Sequence, residues 1–274
     1  MSVLKRLSKS KYFNTVLWIV ILIVVWEIGA TVVAATKRSP ENVLPHLNGI
    51  IESVVSKETI NGSQTAVQMV LENAKATISR ALVGFGIGTA LGFVLALFMS
   101  RFKTVEKIAF PYLMIIQMIP ILGMAPLIFA ITQDISKSRI IIAAILTFYP
   151  VATNTLAGFK AVEKEKHELM ISYAASKFQL YTKTMIPSCI PYFFTGLKIS
   201  APMAITASIL VDTLQGGIGL GCLLSQALKG AMSRYVFWQI VFLSAFIGIF
   251  SFLLMGIIEY VLCPYKRKGN KQEE

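Results

Sequence analysis

Charged and metal-binding side chains are scarce in this sequence. Only 15% of its 274 residues are charged, and it holds three cysteines and two histidines. The cysteines (Cys189, Cys222 and Cys263) are odd in number and far apart, which fits neither a disulfide framework nor a metal site. No Gly-Lys dipeptide occurs, so the sequence lacks a Walker-type ATP site. We therefore expect this chain itself to bind neither a metal nor a nucleotide cofactor.

Hydrophobic residues are abundant instead. They make up 55% of the chain, and the mean hydropathy is +0.68, which is too apolar for one soluble domain. Several apolar runs reach the roughly 20 residues that cross a bilayer as a helix, the structure that satisfies its own backbone hydrogen bonds in lipid. The sequence predicts an all-α integral membrane protein with six transmembrane helices, at residues 13–35, 78–100, 108–131, 139–158, 192–212 and 237–262.

Prolines interrupt two of these six segments. The third holds Pro111, Pro120 and Pro126, and the fifth holds Pro202. Because proline removes a backbone donor and clashes with the preceding turn, we expect kinked or broken helices in both segments.

The basic residues, which give the chain a net charge of +12, are distributed unevenly. If the chain crosses six times, sixteen lysines and arginines lie on one side and far fewer on the other. The positive-inside bias then predicts that the terminal segments 1–12 and 264–274 are cytoplasmic. The basic charge is thus a topology signal and does not indicate a nucleic-acid partner.

The N-terminal part of the chain predicts one span and one external segment. The apolar run at 13–35 is longer than the 7–15 residues of a signal-peptide core, so we expect an uncleaved helix. The following residues, 36–77, form the one sizeable external segment. Apolar residues from Val43 to Val55 recur there at helical spacing and predict an amphipathic helix, and Thr65–Leu71 predicts a second short helix.

Glycines are concentrated in two places. Gly84, Gly88 and Gly92 recur every four residues in the second span, where they share one helix face and allow another helix to approach closely. The second group is the sequence LQGGIGLG, at residues 214–221, which predicts a flexible turn after the fifth span.

Polar side chains inside the spans are costly and often functional. We predict that Gln117 and Asn154 face the interior, and the candidate pathway-lining residues are Gln117, Asn154, Thr195, Ser200 and Thr206. Serine and threonine mostly bond to their own helix, so they carry less weight. Glu27 and Asp212 lie near predicted external ends, where we expect solvated acids. No span holds a histidine, and we predict no catalytic residues.

The segment 160–191 separates the fourth and fifth spans. We expect short helices at Ala161–Tyr173 and Ser176–Met185, with Pro187 and Pro191 ending the second helix and starting the fifth span. Apolar side chains are too numerous for a purely solvated loop. They indicate either a surface that docks a partner protein or a loop that lies on lipid headgroups.

The sequence ELMISYAASKFQLYTKTMIP, at residues 168–187, resembles the cytoplasmic EAA loop by which permeases of bacterial ATP-driven importers grip their ATPase. Glu168 matches the motif's Glu, Leu169 and Met170 replace its two alanines, Ala174 replaces its Gly, and Ile186-Pro187 closes it. From the second to the sixth span, the chain is similar to permeases for sulfonates, taurine, nitrate and thiamine or riboflavin precursors. Matching stretches include IPILGMAPLIF at 119–129 and FYPVATNTLAGFKAV at 148–162.

This resemblance implies a bundle like that of a type I ABC importer permease, with a core permease domain at 78–263 and the loop 160–191 as its coupling element. It implies a multi-pass protein of the bacterial inner membrane that forms a homodimer among membrane lipid, with ATP and Mg bound by partner ATPase subunits and solute delivered by an external binding protein. The residues it assigns to ATPase coupling are Glu168, Leu169, Met170, Tyr173, Ala174, Ala175, Phe178, Ile186 and Pro187.

Two stretches depart from the family pattern. Ala174 stands where the family usually has glycine, so we expect a turn that differs in angle or avoids positive φ. Lys137-Ser138-Arg139 stands where the family often has a short Gly-rich turn.

The main alternative function is a stand-alone secondary transporter, which needs inverted repeats and paired midplane acids. The sequence shows neither feature. An intramembrane enzyme or an ion channel is disfavoured because the spans lack a catalytic set and a filter-like segment. The solute class expected from the resemblance is an organosulfonate, a nitrate-like anion or a vitamin precursor.

Overall fold

The computed structural model describes residues 11–37, 43–56, 64–230 and 234–263. Most of the predicted N-terminal segment and the whole tail 264–274 lie outside the described residues. The regular elements of the described ranges are all helical. In chain order they are α1 (Lys11–Thr36), α2 (Leu47–Val55), α3 (Ala66–Arg101), α4 (Lys103–Met118), α5 (Ile121–Thr132), α6 (Ile135–Lys160), α7 (Lys164–Ser172), α8 (Lys177–Leu180), a π-helical turn (Tyr181–Met185), α9 (Ile186–Gln215), α10 (Leu220–Leu228) and α11 (Arg234–Leu262).

The predicted all-helical membrane fold is confirmed. Five helical stretches of the described chain are long and apolar enough to cross a membrane, and a sixth span arises if α4 and α5 are counted as one bent unit. The five stretches are Phe13–Thr36, Ala66–Arg101, Ile135–Lys160, Lys177–Leu214 and Arg234–Leu262.

The third predicted span is broken, as expected. Helix α4 ends at Met118, and α5 begins at Ile121 after the extended residues Ile119 and Pro120. The two helices are bent by more than 40° at this point. Pro120 accounts for the position of the break, since it cannot donate to the preceding turn and disfavours helical backbone at Ile119.

The fifth predicted span contains no break. Helix α9 continues through both Pro191 and Pro202 to Gln215. It packs closely on α6, where a side chain at Gly196 would lie 3.0 Å from the carbonyl oxygen of Pro150. Neighbouring helices can support a transmembrane helix through proline in this way. A broken helix at Pro202 was therefore a wrong expectation, and a kink there stays a prediction.

By its contacts, the chain divides into two compact units, residues 1–70 with 226–240 and residues 71–225 with 241–274. In the first unit, the end of α1 holds the start of α2. Trp26 donates its indole N–H to the Pro45 carbonyl over 3.1 Å. The Glu27 carboxylate accepts the Leu47 amide over 2.9 Å and lies 2.7 Å from Nδ1 of His46. Glu27 is thus a partly exposed helix cap as well as a solvated acid.

The predicted second short helix at Thr65–Leu71 is not separate. It is the beginning of α3, which continues to Arg101. Thr65 and Gln68 cap each other reciprocally, with Gln68 N donating to Thr65 Oγ1 over 3.3 Å and Thr65 N donating to Gln68 Oε1 over 3.0 Å. The helix contains no proline after this start, so nothing in the sequence ends it before the membrane.

In the second unit, the glycine stripe of α3 packs on α6, as predicted. Side chains at Gly84 and Gly92 would lie 2.6 Å and 2.8 Å from backbone carbonyl oxygens of α6, and Gly88 is similarly close. These distances leave no room for a methyl group, so the three glycines permit the backbone contact.

Helix α6 begins at Asp134, which caps it. The Asp134 carboxylate accepts the backbone N–H groups of Lys137 and Ser136 over 3.0 Å and 2.8 Å. These hydrogen bonds, the one from Lys137 first, lower the pKa of Asp134. The cap places Lys137-Ser138-Arg139 in the first turns of α6, with Ser138 and Arg139 buried.

Candidate functional site

The candidate coupling segment, residues 160–191, forms two helical pieces joined by a short turn. Helix α7 occupies Lys164–Ser172, and the second piece begins at Lys177. Ser176 starts that piece with a capping box, since its hydroxyl accepts the Gln179 amide over 3.2 Å and Gln179 Oε1 accepts the Ser176 amide over 2.8 Å. Both helices lie within the ranges expected from the sequence.

The turn between the two pieces reverses one expectation. We expected a turn that differs in angle or avoids positive φ, and the second alternative is wrong, because Ala174 has φ +48° and adopts the left-handed conformation. Its amide donates to Ile171 O over 2.8 Å, and the Ala175 amide donates to Met170 O over 3.0 Å. This hydrogen-bond pair is a Schellman motif with Ala174 at C′, the position that favours glycine. This helix end requires a left-handed residue at position 174. Alanine therefore adopts the same turn that glycine would adopt, but its backbone is strained there.

The second piece does not end at Pro187, contrary to prediction. The π-helical turn at Tyr181–Met185 continues directly into α9. Pro187 would clash with the carbonyl of Lys183 in a regular α-helix, and Lys183 lies inside the wider π turn. The widened turn therefore accommodates the proline, and the second piece of the coupling segment is a direct extension of α9.

The predicted coupling residues differ in how accessible they are. Tyr173 and Phe178 are each 77% exposed, and Leu169 is 55% exposed. Met170 is half-buried and lines a cleft of about 520 Å³ between α7 and the start of α9. Ile171, which sequence reasoning missed, is 60% exposed. Of the remaining coupling residues, Glu168, Ala174 and Pro187 are exposed, and Ala175 and Ile186 are half-buried.

The five candidate pathway residues separate into two groups. Gln117 and Asn154 line one cleft of about 440 Å³ between α4, α6 and α9. The three hydroxyl residues do not line it. Thr195 and Thr206 donate to the carbonyls of Pro191 and Pro202, and buried Ser200 donates to Leu197 O. Their hydrogen bonds therefore stay within their own helix, as is usual for such residues.

Asp212 is not a solvated acid, contrary to expectation. Its side chain is fully buried and lies among residues of α3 and α6. Thr77 donates its hydroxyl to Asp212 Oδ2 over 2.7 Å. Arg139 Nε lies 2.9 Å from Asp212 Oδ1, and Arg80 Nη1 lies 3.5 Å from the same oxygen. The Arg139 Nε–H is not aligned for a hydrogen bond, so this contact is an ion pair. We call these four residues, with Asn73, the Asp212 cluster.

The Asp212 cluster also holds the glycine-rich loop that we predicted to be flexible. Arg80 and Arg139 donate to Ile218 O over 2.8 Å and 3.2 Å, and Arg139 also donates to the Gly216 carbonyl. The Gly219 amide donates to Asn73 Oδ1 over 2.7 Å, and a side chain at Gly219 would overlap the Asp212 carboxylate. The glycines thus permit a tightly hydrogen-bonded loop.

A second ion pair lies between spans. Lys198 of α9 pairs with Glu259 of α11, whose side chain is 4% exposed. Sequence reasoning passed over Lys198, Arg80 and Arg139, the three basic residues inside predicted spans, and over Glu259. Their positions inside predicted spans could have indicated the two ion-paired sites, because a charge inside a span requires a partner.

The described residues contain no group of three or more histidine, cysteine or acidic residues that could hold a metal. Cys189, Cys222 and Cys263 are buried free thiols. That this chain uses no cofactor stays a prediction.

The sequence is similar to permeases of known transport systems. It is 28% identical to the formylaminopyrimidine transport permease protein ThiX of Halalkalibacterium halodurans over 92% of this chain and 95% of that protein. It is 24% identical to the nitrate import permease protein NrtB of Synechocystis over 91% of this chain and 89% of that protein. The aliphatic sulfonates transport permease protein SsuC of Bacillus subtilis, a putative assignment, is 23% identical over 90% of this chain and 85% of that protein.

The fold is also that of solved transporters. An amino acid ABC transporter crystallised with histidines matches with a TM-score of 0.62 over 74% of this chain and 99% of that one, at 18% identity. The MetNI methionine ABC transporter in inward-facing conformations matches with a TM-score of 0.56 over 73% and 97%. The family model of the binding-protein-dependent transport system inner membrane component matches residues 88–261. The chain therefore belongs to this family of inner-membrane transport components.

Proposed function

We propose that this chain is the permease subunit of an ATP-binding-cassette importer and couples to a separate ATPase through residues 160–191. The observation that carries the proposal is the exposure of Leu169, Ile171 and Tyr173 on this segment, whose second helical piece is continuous with α9. Large apolar side chains outside the lipid-facing helices need a protein partner to cover them. A displacement of this segment would be transmitted along α9, because the helix continues without a break to Gln215.

The partner ATPase supplies ATP and Mg in this proposal. Closure of the ATPase on ATP biases the permease between inward-facing and outward-facing states, as a ligand biases a two-state element. Among the described residues, no cation lies within ion-pair distance of exposed Glu168, which leaves its carboxylate available to donors on the ATPase. We infer that a second copy of this chain completes the membrane assembly and that an external binding protein delivers the solute.

The cleft beside Gln117 and Asn154 is the proposed solute pathway. Side-chain amides both donate and accept hydrogen bonds, so this pair suits a small neutral or anionic solute without binding it tightly. The transported solutes named for the relatives, a formylaminopyrimidine, nitrate and aliphatic sulfonates, are all small and polar. We propose a solute of this size and polarity.

Co-purification and transport measurements test the coupling proposal together. The tagged full chain, purified from its native host, should bring down an ATPase and a solute-binding protein, and ATP hydrolysis should occur only in fractions that contain the ATPase. Uptake into proteoliposomes that hold the chain alone, driven by an ion gradient, would instead establish the secondary transporter.

Membrane orientation is tested by thiol labelling. We propose that both termini and the coupling segment are cytoplasmic and that α2 is external. The native cysteines are buried, so they should react little with the reagent and labelling should report the single added cysteine. A reagent that stays outside intact cells should label Val55→Cys, which lies on α2, and miss Lys177→Cys. The reverse pattern contradicts the proposed orientation.

A further inference from the structure

A groove of about 430 Å³ lies between the end of α3 and the helical turns that precede α9. Its lining is mostly apolar. One side consists of Leu97, Phe98 and Phe102, and the other includes Phe178 and Tyr181. Phe98 and Phe102 are 51% and 47% exposed. The groove therefore presents apolar side chains that the described residues leave partly uncovered.

Two cations stand at this groove, Arg101 and Lys177. The Arg101 guanidinium lies 5.1 Å from the centre of the Phe102 ring. Across the ranges that the structure describes, neither cation has a carboxylate within ion-pair distance, and none of the described lining residues is acidic. The groove thus combines an apolar lining with two positive charges that no carboxylate of the described residues neutralises.

Both cations lie at ends of membrane-spanning stretches. Arg101 is the last residue of the span Ala66–Arg101, and Lys177 is the first of the stretch Lys177–Leu214. Leu97 and Phe98 precede Arg101 on α3, so this part of the lining lies on the span side of Arg101. This arrangement places the charges at headgroup level and these apolar side chains at acyl-chain level.

We propose that this groove is a binding site for an anionic phospholipid. The lipid phosphate lies between Arg101 and Lys177, and one acyl chain follows Leu97 and Phe98. Charge complementarity favours an anionic headgroup, since an uncharged one leaves both cations unneutralised. The proposal requires insertion in the membrane but does not depend on the solute or on ATPase coupling.

Native mass spectrometry of the full chain tests this site. The protein is equilibrated in micelles with equal amounts of phosphatidylglycerol and phosphatidylcholine of matched acyl chains, and the retained lipids are counted. The wild type should retain phosphatidylglycerol preferentially. Arg101→Gln and Lys177→Gln should each lower the ratio of retained phosphatidylglycerol to phosphatidylcholine by roughly fivefold, the effect of removing one lipid-facing cation.

The matched control is Lys103→Gln with Lys107→Gln. It removes two positive charges, as many as the two groove variants remove together, from exposed positions just beyond the groove, and it should leave the ratio unchanged. Phe98→Ala should lower retention of both lipids and leave their ratio as in the wild type. Arg101→Lys, which keeps the charge, should preserve the preference if a glutamine variant fails to fold.

Three outcomes would overturn the lipid site. Equal retention of the two lipids by the wild type removes the headgroup preference. An equal drop in the control double variant assigns the preference to general surface charge. Unchanged lipid retention in the groove variants, accompanied by lost ATPase association or lost dimer, assigns the groove to a protein partner.

Discussion

The Asp212 cluster and the coupling segment lie at opposite ends of α9 and differ in how their side chains are paired. Between Ile186 and Asp212 the helix is roughly 40 Å long. At one end, a fully buried carboxylate is paired with arginines of the same chain. At the other end, apolar side chains such as Tyr173 are exposed and are not covered by any of the described residues. The first region therefore serves the fold, and we propose that the second binds a partner.

The largest effect is expected at the buried carboxylate. Asp212→Asn keeps the shape of the side chain but removes the charge that compensates Arg139, which is 1% exposed. Leaving a buried charge without its partner commonly costs about 3 kcal/mol or more. We therefore expect a large loss of folded protein, measured as the yield of monodisperse protein and as the thermal unfolding temperature in detergent.

The two arginines and a surface acid provide the controls for this variant. Arg139→Gln should destabilise the protein more than Arg80→Gln, because Arg139 is the closer and more buried partner. Glu165→Gln on the exposed face of α7 should change little. A stability of Asp212→Asn equal to that of Glu165→Gln would mean that the cluster does not hold the fold.

A smaller and different effect is expected in the coupling segment. Tyr173→Ala removes an apolar side chain that contacts little of its own chain, so the unfolding temperature should not change. If Tyr173 fills a pocket of the ATPase, its loss should weaken association by about 2 kcal/mol, or roughly 30-fold. Association is measured by titrating the purified ATPase against the detergent-solubilised permease.

Tyr112→Ala is the matched control, since Tyr112 is another exposed tyrosine and lies on α4, away from the coupling segment. It should leave ATPase association unchanged. Equal weakening by both variants, or by neither, would contradict the assignment of Tyr173 to the docking surface.

The sequence was sufficient for the features that repeat along a helix. Long apolar runs predicted the spans, and the four-residue spacing of Gly84, Gly88 and Gly92 predicted the close contact with α6. The three prolines of the third span predicted a kink or break there. These signals are local, because each depends on the backbone of one helix or on one face of it.

The Asp212 cluster could not be found by the same reasoning. Thr77 and Asp212 are far apart in the chain, and their contact depends on how α3, α6 and α9 pack. The sequence places Asp212 near a span end, where a solvated acid is the usual state. The partly buried Arg80 and the buried Arg139 change that state, and the only sequence signal for this was that both arginines lie inside predicted spans.

The turn at Ala174 is a case in which the residue type predicted the wrong backbone conformation. The resemblance gave the place of the turn, but alanine at position 174 suggested a different backbone. The hydrogen bonds of the Schellman motif determine φ there, and they overcome the preference of alanine for negative φ. Tertiary and capping interactions thus overrode the local preference.

Ala174→Gly should stabilise the protein slightly. Glycine adopts the left-handed conformation without the strain that a Cβ adds, a difference of about 1 kcal/mol that is partly offset by the greater freedom of glycine in the unfolded chain. We expect a small rise in the unfolding temperature and unchanged ATPase association, because the turn geometry is kept. Thermal unfolding in detergent measures the first, and ATPase titration the second.

Ala175→Gly tests whether the gain is specific to the backbone of position 174. Ala175 does not have positive φ, so glycine there adds only unfolded-state freedom and should lower stability. A rise in stability for both variants, or for Ala175→Gly alone, would contradict the assignment of strain to Ala174.

The smallest effect is expected at Asp134, the exposed acid at the start of the helix that also carries Arg139. Its cap hydrogen bonds favour the ionised carboxylate and lower its pKa. A lowered folded pKa means that the stabilisation is complete above the unfolded pKa of about 3.9 and is lost as the pH falls through the folded pKa.

Asp134→Asn keeps a competent cap that does not titrate in this range. The stability of the wild type relative to Asp134→Asn should therefore be constant near neutral pH and fall below about pH 4. Unfolding of both proteins across this pH range measures the difference in stability. If that difference stays constant down to the lowest pH at which both proteins fold, the cap does not favour the ionised over the protonated carboxyl group of Asp134.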